Sequence, residues 1–374
     1  MRKGTLLMWL ILFGVMAVLA CVGVVYLTRG FHRFRVLERL GEKHRLLSWL
    51  LALLPVAGIL CWYFFNAYTM LVVLVYMLII WVLCDLTAAV IRKIRKKERT
   101  RNYAGGAALL ISAALFGSGC FFAHHVFATH YSFRTEKALF GKPLRIAMLA
   151  DSHLSVTLNG SDFAEQIRRI RAEKPDLLLI CGDFVDDETT KADMLEACAA
   201  LGTTVTDFRT FFCYGNHDKG YYSYRNFTVD ELERALKDNG VRVLQDEVVP
   251  FGDEIALIGR CDRSAEDRVP IADLAAGQEG ACYQIVMDHQ PDDYDAEAAA
   301  GVDLVLSGHT HGGHMFPAGQ FGLLIGANDR IYGTERRGQT DFLVTSGISG
   351  WAIPFKIGCI SEYCIIDIVP DAAG

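Results

Sequence analysis

Three histidines lie close together in residues 308–314, which read Gly-His-Thr-His-Gly-Gly-His and contain His309, His311 and His314. Neutral imidazole is the commonest metal ligand among side chains. The flanking glycines permit backbone angles that direct neighbouring imidazoles toward one centre. The alternative is a histidine-rich surface loop, but upstream residues of matching chemistry favour a metal site.

The other histidines in the second half of the chain support this interpretation. Beyond residue 134 there are six histidines, and all of them lie in short polar clusters that follow apolar runs. Four such clusters begin at Asp151, Gly215, Asp288 and Gly308, and a fifth, at Gly182, carries an aspartate. Histidines scattered through a core or over a surface would not group in this way, so together they predict one metal site.

The elements that would position these clusters alternate between strand and helix. Apolar runs at residues 144–150, 177–181, 210–214, 283–287 and 302–306 predict buried strands, and each run ends at a cluster. Helices are predicted at residues 230–238 and after Ser161, which is expected to cap a helix with Phe163, Ile167 and Ile170 on one face. The carboxyl ends of such strands meet at one edge of a sheet, where their loops build a shared site.

In their order, the clusters resemble the motifs of the calcineurin-like metallophosphoesterase family. The series is Asp151-x-His153, Gly182-Asp183-x-x-Asp186, Gly215-Asn216-His217-Asp218, His289 and Gly308-His309-x-His311. Residues 308–313 and 345–348 further resemble the bacterial membrane-anchored branch of that family. The resemblance covers residues 143–368 and implies an α/β fold built as a four-layer αββα sandwich.

The family resemblance also implies a set of metal ligands. One divalent metal ion would be held by Asp151, His153, Asp183 and His311, and a second by Asp183, Asn216, His289 and His309, with Asp183 bridging the two. Two cations about 3.5–4 Å apart bind a phosphoryl group and activate a bridging water. The mixed nitrogen and oxygen ligands suit Mn, Fe, Zn or Ni without selecting among them, and Mn or an Fe/Zn pair is favoured.

The reaction that the resemblance implies is hydrolysis of a phosphomonoester, phosphodiester or pyrophosphate by attack of a metal-bridging hydroxide. His217 would stabilise or protonate the leaving oxygen, and Asp218 would orient its ring. Asp186 and Asp187 would stay outside the ligand set. Where the branch usually has Gln after Gly-Gly, this chain has His314, which would take over the role of that glutamine, contact the substrate phosphate, or be merely tolerated.

The first 140 residues differ in composition from the rest of the chain. They hold 17 Lys and Arg against 5 Asp and Glu, a net charge of +12, whereas residues 141–374 hold 20 against 38, a net charge of −18. Apolar stretches at residues 6–27, 46–65, 68–91 and 103–128 are each long enough to cross about 30 Å of hydrocarbon as a helix. The sequence therefore predicts an all-α transmembrane region of four helices at residues 1–133, followed by a catalytic domain at residues 141–370.

Basic residues predict how these spans are oriented. Thirteen Lys and Arg lie in the loops after the first and third spans, against two before the first span. Because cytoplasmic loops carry an excess of Lys and Arg, the N-terminus and the catalytic domain of this multi-pass cell-membrane protein are expected to be extracytoplasmic. Asp85 is the one acid within a span, and a structural role beside basic residues is favoured over a functional one.

Charge and aromatic content limit the kinds of partner and substrate that the chain is expected to bind. A net charge of −18 argues against a nucleic-acid partner, because phosphate backbones repel such a surface. Phe316, Phe321, Tyr332, Trp351 and Phe355 follow the metal-site motifs, and a minority of them would form an apolar wall beside the phosphate. The predicted substrate is thus a phosphate-containing small molecule or lipid. The alternative function is a non-catalytic metal-binding membrane receptor or scaffold, which loss of a ligand or of the His-Asp pair would favour, and this chain has lost neither.

Overall fold

The computed structural model describes residues 18, 20–96, 101–137, 139, 142–221, 225–277 and 282–371. The chain divides into two compact units, Met1–Ser118 and Gly119–Gly374. The first unit is helical, and the second contains two β-sheets with helices on their outer faces.

The first part of the chain is helical in the residues that the structure describes. They are α1 (residues 20–32), α2 (Arg35–Lys43), α3 (Arg45–Cys61), which continues into a 3₁₀ turn (Trp62–Phe64), α4 (Ala67–Arg95) and α5 (Tyr103–His124). Three helical stretches have the length and composition to cross a membrane: Arg45–Phe64, Ala67–Arg95 and Tyr103–His124. They correspond to the second, third and fourth predicted spans, whereas most of the first, residues 6–27, lies outside the described residues.

Asp85 lies on α4 and pairs with residues that precede it in the chain. Its carboxylate accepts hydrogen bonds from the Tyr26 hydroxyl at 2.8 Å and from Arg33 Nη2 at 2.5 Å. An acid inside an apolar helix is stabilised when a cation and a hydroxyl satisfy it. The contacts agree with the structural role expected for Asp85.

The fourth predicted span is too long at its carboxyl end. Helix α5 ends at His124, and strand β1 (Val126–Thr135) begins where the hydropathy pattern still extends a helix to residue 128. The side chains of β1 alternate between more and less buried positions, and β1 pairs in parallel with the last strand of the chain. Hydropathy alone does not distinguish the end of a span from a strand that is buried on one face.

The second unit contains two six-stranded mixed sheets. The first has the order β1-β12-β2-β3-β4-β5 and the second β10-β11-β9-β8-β7-β6. The strands after β1 are β2 (Leu144–Leu149), β3 (Leu177–Cys181), β4 (Arg209–Cys213), β5 (Val241–Leu244), β6 (Glu247–Phe251), β7 (Ile255–Gly259), β8 (Tyr283–Met287), β9 (Leu304–Ser307), β10 (Gly333–Arg337), β11 (Thr340–Val344) and β12 (Ser361–Pro370). Strands β2 to β5 run parallel in one sheet, and β7, β8, β9 and β11 run parallel in the other.

Successive side chains of a strand point to opposite faces of its sheet and therefore pack in different layers of the domain. On β2, Ile146 and Met148 join a core cluster shared by both sheets, while Ala147 and Leu149 pack in a second cluster with helices. The helices of the second unit after α5 are α6 (Gly160–Ala172), α7 (Lys191–Gly202), α8 (Val229–Asp238), α9 (Ile271–Ala275), α10 (Tyr294–Ala299) and α11 (Ala318–Leu324). Helices α6 to α8 cover the first sheet, while α9 and α10 pack in a third cluster with the second. The predicted αββα sandwich is confirmed.

Helix α6 shows where local prediction was right and where it was wrong. Phe163, Ile167 and Ile170 are buried on its core-facing side, as their spacing predicts. The cap is Asn159, whose side chain accepts a hydrogen bond from the Asp162 backbone N–H, and not Ser161. Asparagine is at least as good an N-cap as serine, and the helix begins two residues earlier than a cap at Ser161 predicts.

Candidate metal centre

Loops that follow five parallel strands bring acids and imidazoles together in two groups. Within each group, one possible ligand atom from every residue lies within 4.8 Å of the others. The first group is Asp151, His153 and His311, and the second is Asp183, His289 and His309. These six residues follow β2, β3, β8 and β9, and a fifth loop, after β4, brings Asn216 to the second group.

Imidazole orientation in the first group suits a cation. His153 is fully buried, and its Nδ1 lies 3.1 Å from an Asp186 carboxylate oxygen, which can only accept. The proton on Nδ1 leaves the lone pair on Nε2, and that atom is buried without a hydrogen-bond partner. His311 Nε2 lies 3.8 Å from Asp151 Oδ1. Asp186 therefore orients the His153 ring and lies outside both groups.

The second group has the same construction with a backbone carbonyl as the orienting acceptor. His289 Nδ1 donates to the Cys181 carbonyl at 2.8 Å, and its buried Nε2 faces Asp183 Oδ2 at 3.1 Å. Burial lowers the pKa of His289, but the Asp183 carboxylate outweighs burial and raises that pKa well above its ordinary value. Two acceptor atoms at this distance need a positive charge between them, and a divalent cation can replace the proton there.

Asp183 lies between the two groups. Its Oδ2 is 3.1 Å from His289 Nε2 in one group and 3.6 Å from His153 Nε2 in the other. Its Oδ1 accepts the backbone N–H of His217 at 2.8 Å. Burial raises the pKa of Asp183, but the neighbouring His289 and His153 lower it below the ordinary aspartate value. An ionised carboxylate in this position is within reach of both imidazole sets.

Asn216 lies beside the second group, although an amide is a weaker signal than an acid or imidazole. Its Oδ1 accepts a hydrogen bond from His309 Nδ1 at 2.9 Å, and its Nδ2 donates to the Tyr221 hydroxyl at 2.9 Å. The tyrosine thus fixes which end of the amide faces the histidines. Burial lowers the pKa of His309 to about 4, so its imidazole is neutral and able to act as a ligand.

The backbone at the site adopts conformations that the sequence does not reveal. Five of the six grouped residues have positive φ, namely Asp151 at 54°, His153 at 33°, Asp183 at 50°, His309 at 69° and His311 at 50°. This left-handed region is uncommon for residues with a Cβ and concentrates at functional sites. The loops that carry Asp183 and Gly215 also approach each other closely, since a Cβ on Gly215 would lie only 2.2 Å from Asp183 Oδ1.

Asp218 forms hydrogen bonds to the backbone of two loops at the site. Its carboxylate accepts four backbone N–H groups, those of Gly215 at 2.7 Å, Asp183 at 2.9 Å, Phe184 at 2.8 Å and Val185 at 3.1 Å. These bonds occupy the acceptor capacity of both oxygens. Asp218 thus joins the loop after β3 to the loop after β4, and its expected part in orienting the His217 ring stays a prediction.

His217 lies at the edge of the two groups and is partly exposed. Its ring centroid is 5.1 Å from the His153 ring, 5.1 Å from the Tyr221 ring and 5.6 Å from the Trp351 ring. Burial lowers the pKa of His217, while Asp183 and Asp186 oppose that change. The imidazole borders the site without belonging to either candidate group.

His314 and a lysine missed by the sequence analysis support the turn beside His311. The His314 ring centroid lies 5.3 Å from that of His311. Burial lowers the pKa of His314 to about 3, aided by the nearby charge of Lys356. Lys356 is fully buried, and its Nζ donates to the carbonyls of Ser346 at 2.6 Å, Gly347 at 3.1 Å and Ile360 at 3.0 Å. The His314 ring therefore lies beside the His311 ring, close to the first group.

Comparison with known proteins agrees with this geometry. The family model described as calcineurin-like phosphoesterase matches residues 144–313. An uncharacterized metallophosphoesterase of Aquifex aeolicus is 31% identical over 247 residues, which cover 64% of this chain and 90% of that protein. An uncharacterized metallophosphoesterase of Campylobacter jejuni is 29% identical over 233 residues, 61% of this chain and 59% of that protein. The phosphodiesterase YaeI of Escherichia coli is 28% identical over 246 residues, 61% of this chain and 83% of that protein.

The extent of these matches differs among the relatives. The chain spans about three fifths of the Campylobacter jejuni protein and nine tenths of the Aquifex aeolicus protein. The family model covers the strands β2 to β9 and the turn that holds His309 and His311. It ends before Lys356, the lysine that binds the turn at residues 346–347.

Replacement of Gly215 tests whether close backbone approach positions Asp183. In Gly215→Ala the new methyl group would lie 2.2 Å from Asp183 Oδ1 and 2.5 Å from the Asp183 amide nitrogen, so the loop after β3 must shift. We expect the variant to lose most of its bound metal, measured by elemental analysis after desalting. Gly322→Ala is the matched control, because the nearest atom to its Cβ is 3.8 Å away. Equal metal content in both variants would contradict the positioning argument.

Proposed function

We propose that this chain, which belongs to the calcineurin-like metallophosphoesterase family, is a membrane-anchored phosphoric ester hydrolase with a binuclear metal centre. The observation that supports two metals rather than one is the position of Asp183. Its carboxylate lies within 3.6 Å of an orphaned imidazole nitrogen in each group. The substrate is a phosphomonoester, phosphodiester or pyrophosphate, and the diesterase named among the relatives supports a diester.

The chain supplies complete ligand sets for this proposal. Asp151, His153 and His311 would hold one metal, and Asn216, His289 and His309 the other, with Asp183 shared. When bound, two divalent cations would provide Lewis acidity toward the phosphoryl oxygens and lower the pKa of water. The nitrogen and oxygen donors suit Mn, Fe, Zn or Ni, with Mn or an Fe/Zn pair favoured.

Side chains of the protein would then protonate the leaving oxygen and hold the site residues in position. The oxygen of a water joins phosphorus, the ester P–O bond breaks, and the leaving oxygen takes a proton. His217 is the group placed to donate a hydrogen bond or proton to that oxygen, since it borders both groups and is partly exposed. Asp218 acts as a positioning residue, because its four backbone hydrogen bonds hold Asp183 and Gly215 in fixed positions relative to each other.

Membrane anchoring rests on sequence and helix length together. Three described helices have the length and composition of spans. Together with the predicted span at residues 6–27, they give an even number of crossings and return the chain to the side of its N-terminus. The excess of Lys and Arg in the loops at residues 29–45 and 92–101 assigns those loops to the cytoplasm. We therefore infer an extracytoplasmic catalytic domain within residues 141–370.

The shared ligand should be the most damaging acid to replace. Asp183→Asn removes a negative charge from both proposed metal positions, so we expect metal content to fall at both and turnover of bis(p-nitrophenyl) phosphate to be lost. Asp162→Asn, an exposed acid in the first turn of α6, is the control and should retain both properties. Two tightly bound ions and near-normal turnover in Asp183→Asn would defeat the assignment.

The role assigned to His217 predicts a dependence on the leaving group. His217→Ala should keep its metal ions and lose about 10²–10⁴-fold in turnover, the usual contribution of general acid catalysis. The loss should be smaller for a nitrophenyl ester, whose leaving oxygen scarcely needs a proton, than for an alkyl ester. Equal losses with both esters would exclude proton donation and leave only charge stabilisation.

Orientation in the membrane is tested by accessibility. Protease added to intact spheroplasts should digest residues 141–374, and an alkaline phosphatase fused after residue 134 should be active. The same reporter placed in the loop between the third and fourth spans should be inactive, which provides the matched control. Protection of the domain until the cells are lysed would overturn this orientation.

A further inference from the structure

An uncharged apolar segment follows the turn that holds His309 and His311, which we call the ligand turn. Residues 315–328 contain no Asp, Glu, Lys or Arg, although residues 141–374 carry a net charge of −18. Met315 is buried, but the large side chains after it are exposed, with Phe316 at 57%, Phe321 at 62%, Leu324 at 79% and Ile325 at 78%. No residue of α11, which lies inside the segment, is buried. Contiguous exposed apolar residues of this kind mark a surface that contacts a partner or a membrane.

The apolar segment is fixed to the turn that holds His311. A Cβ on Gly319 would lie 2.5 Å from the Gly313 Cα, so the first turn of α11 packs directly on the ligand turn. Met315 forms a β-bridge with Ile357, and the Phe316 N–H donates to the Ile357 carbonyl at 2.8 Å. The segment is therefore a fixed border of the metal centre rather than a distant loop.

The carboxyl end of α5 forms hydrogen bonds with residues next to Ile357, the residue that pairs with the start of the apolar segment. The carbonyl of Gly119, near the carboxyl end of α5, accepts the Lys356 N–H at 3.0 Å, one residue before Ile357. The carbonyl of Ala123 accepts the Ser361 hydroxyl at 2.9 Å. The last turns of a candidate membrane span and the start of the apolar segment thus pack against the two sides of one short stretch, residues 356–357.

We propose that the segment 316–325 lies in the interface of the bilayer that α5 crosses, and that the substrate is the phosphate ester of a membrane lipid. This inference rests on the proposed phosphoesterase function. Interfacial segments combine aromatic and aliphatic side chains that enter the boundary between headgroups and acyl chains. With this segment in the interface, the adjacent ligand turn faces the headgroup layer, where lipid phosphates lie. In this hydrolysis the oxygen of water joins phosphorus, the ester P–O bond breaks, and the leaving alcohol oxygen takes up a proton that water gives up.

The activity test uses the full chain reconstituted in phosphatidylcholine vesicles and loaded with Mn²⁺. Leu324→Gln with Ile325→Gln changes two highly exposed residues, and Leu195→Gln with Val205→Gln, at 46% and 54% exposure, is the matched control. Phosphatidic acid in the vesicles and soluble bis(p-nitrophenyl) phosphate are the two substrates. We expect the first variant to lose about tenfold or more on the lipid, since burial of one such side chain is worth at least that factor. Turnover of the soluble ester should stay within about twofold, because neither residue belongs to the ligand groups.

A second measurement does not depend on activity. Benzoylphenylalanine placed at position 324 should form a photoadduct with labelled phosphatidylcholine in the vesicles, and the same residue at position 195 should not. Turnover of the soluble ester without lipid turnover and without an adduct at position 324 would overturn the inference and leave the proposed function standing. An adduct without lipid turnover would contradict the substrate class. Absence of turnover on both substrates, with Mn²⁺ bound, would overturn the proposed function itself.

Discussion

The site depends on imidazole nitrogens held against the Asp183 carboxylate in a buried place. His289 Nε2 and His153 Nε2 both face Asp183 Oδ2, at 3.1 and 3.6 Å, without another partner. Such an arrangement is unfavourable unless positive charge lies between the groups, because burial removes the water that would otherwise screen them. The loops, the sheet edge and the supporting hydrogen bonds are explained most simply as the means of holding that arrangement in readiness for cations.

Supporting contacts come from residues that lie outside the two candidate metal-binding groups. The Asp218 carboxylate binds four backbone N–H groups and joins two ligand loops. The buried Lys356 ammonium binds three carbonyls and holds the turn at residue 347 against Asp151, where a glycine Cβ would lie 2.7 Å from the aspartate Cβ. Backbone strain at the ligands is thus balanced by charge-assisted hydrogen bonds in the layer behind them.

The sequence predicts the six residues that form the two candidate groups but not the contacts that support them, for a physical reason. Metal chemistry restricts ligands to a few residue types, and buried strands leave apolar runs, so β3 and β8 were predicted with their observed bounds. Strand β1 continued an apolar stretch and was taken for the end of a span. The partners of Asp218 and Lys356 could not be predicted, because any acid or lysine can bind backbone groups and the choice is made only when distant loops meet. Nor does a residue type indicate positive φ at an aspartate or histidine.

The central claim is that Asp183 is shared between two metal ions. Anomalous diffraction from crystals of the manganese-loaded protein tests it most directly. The account predicts two manganese peaks on opposite sides of the Asp183 carboxylate, one beside Asp151, His153 and His311 and the other beside Asn216, His289 and His309. A single peak at saturating manganese, or two peaks of which only one contacts Asp183, would contradict it.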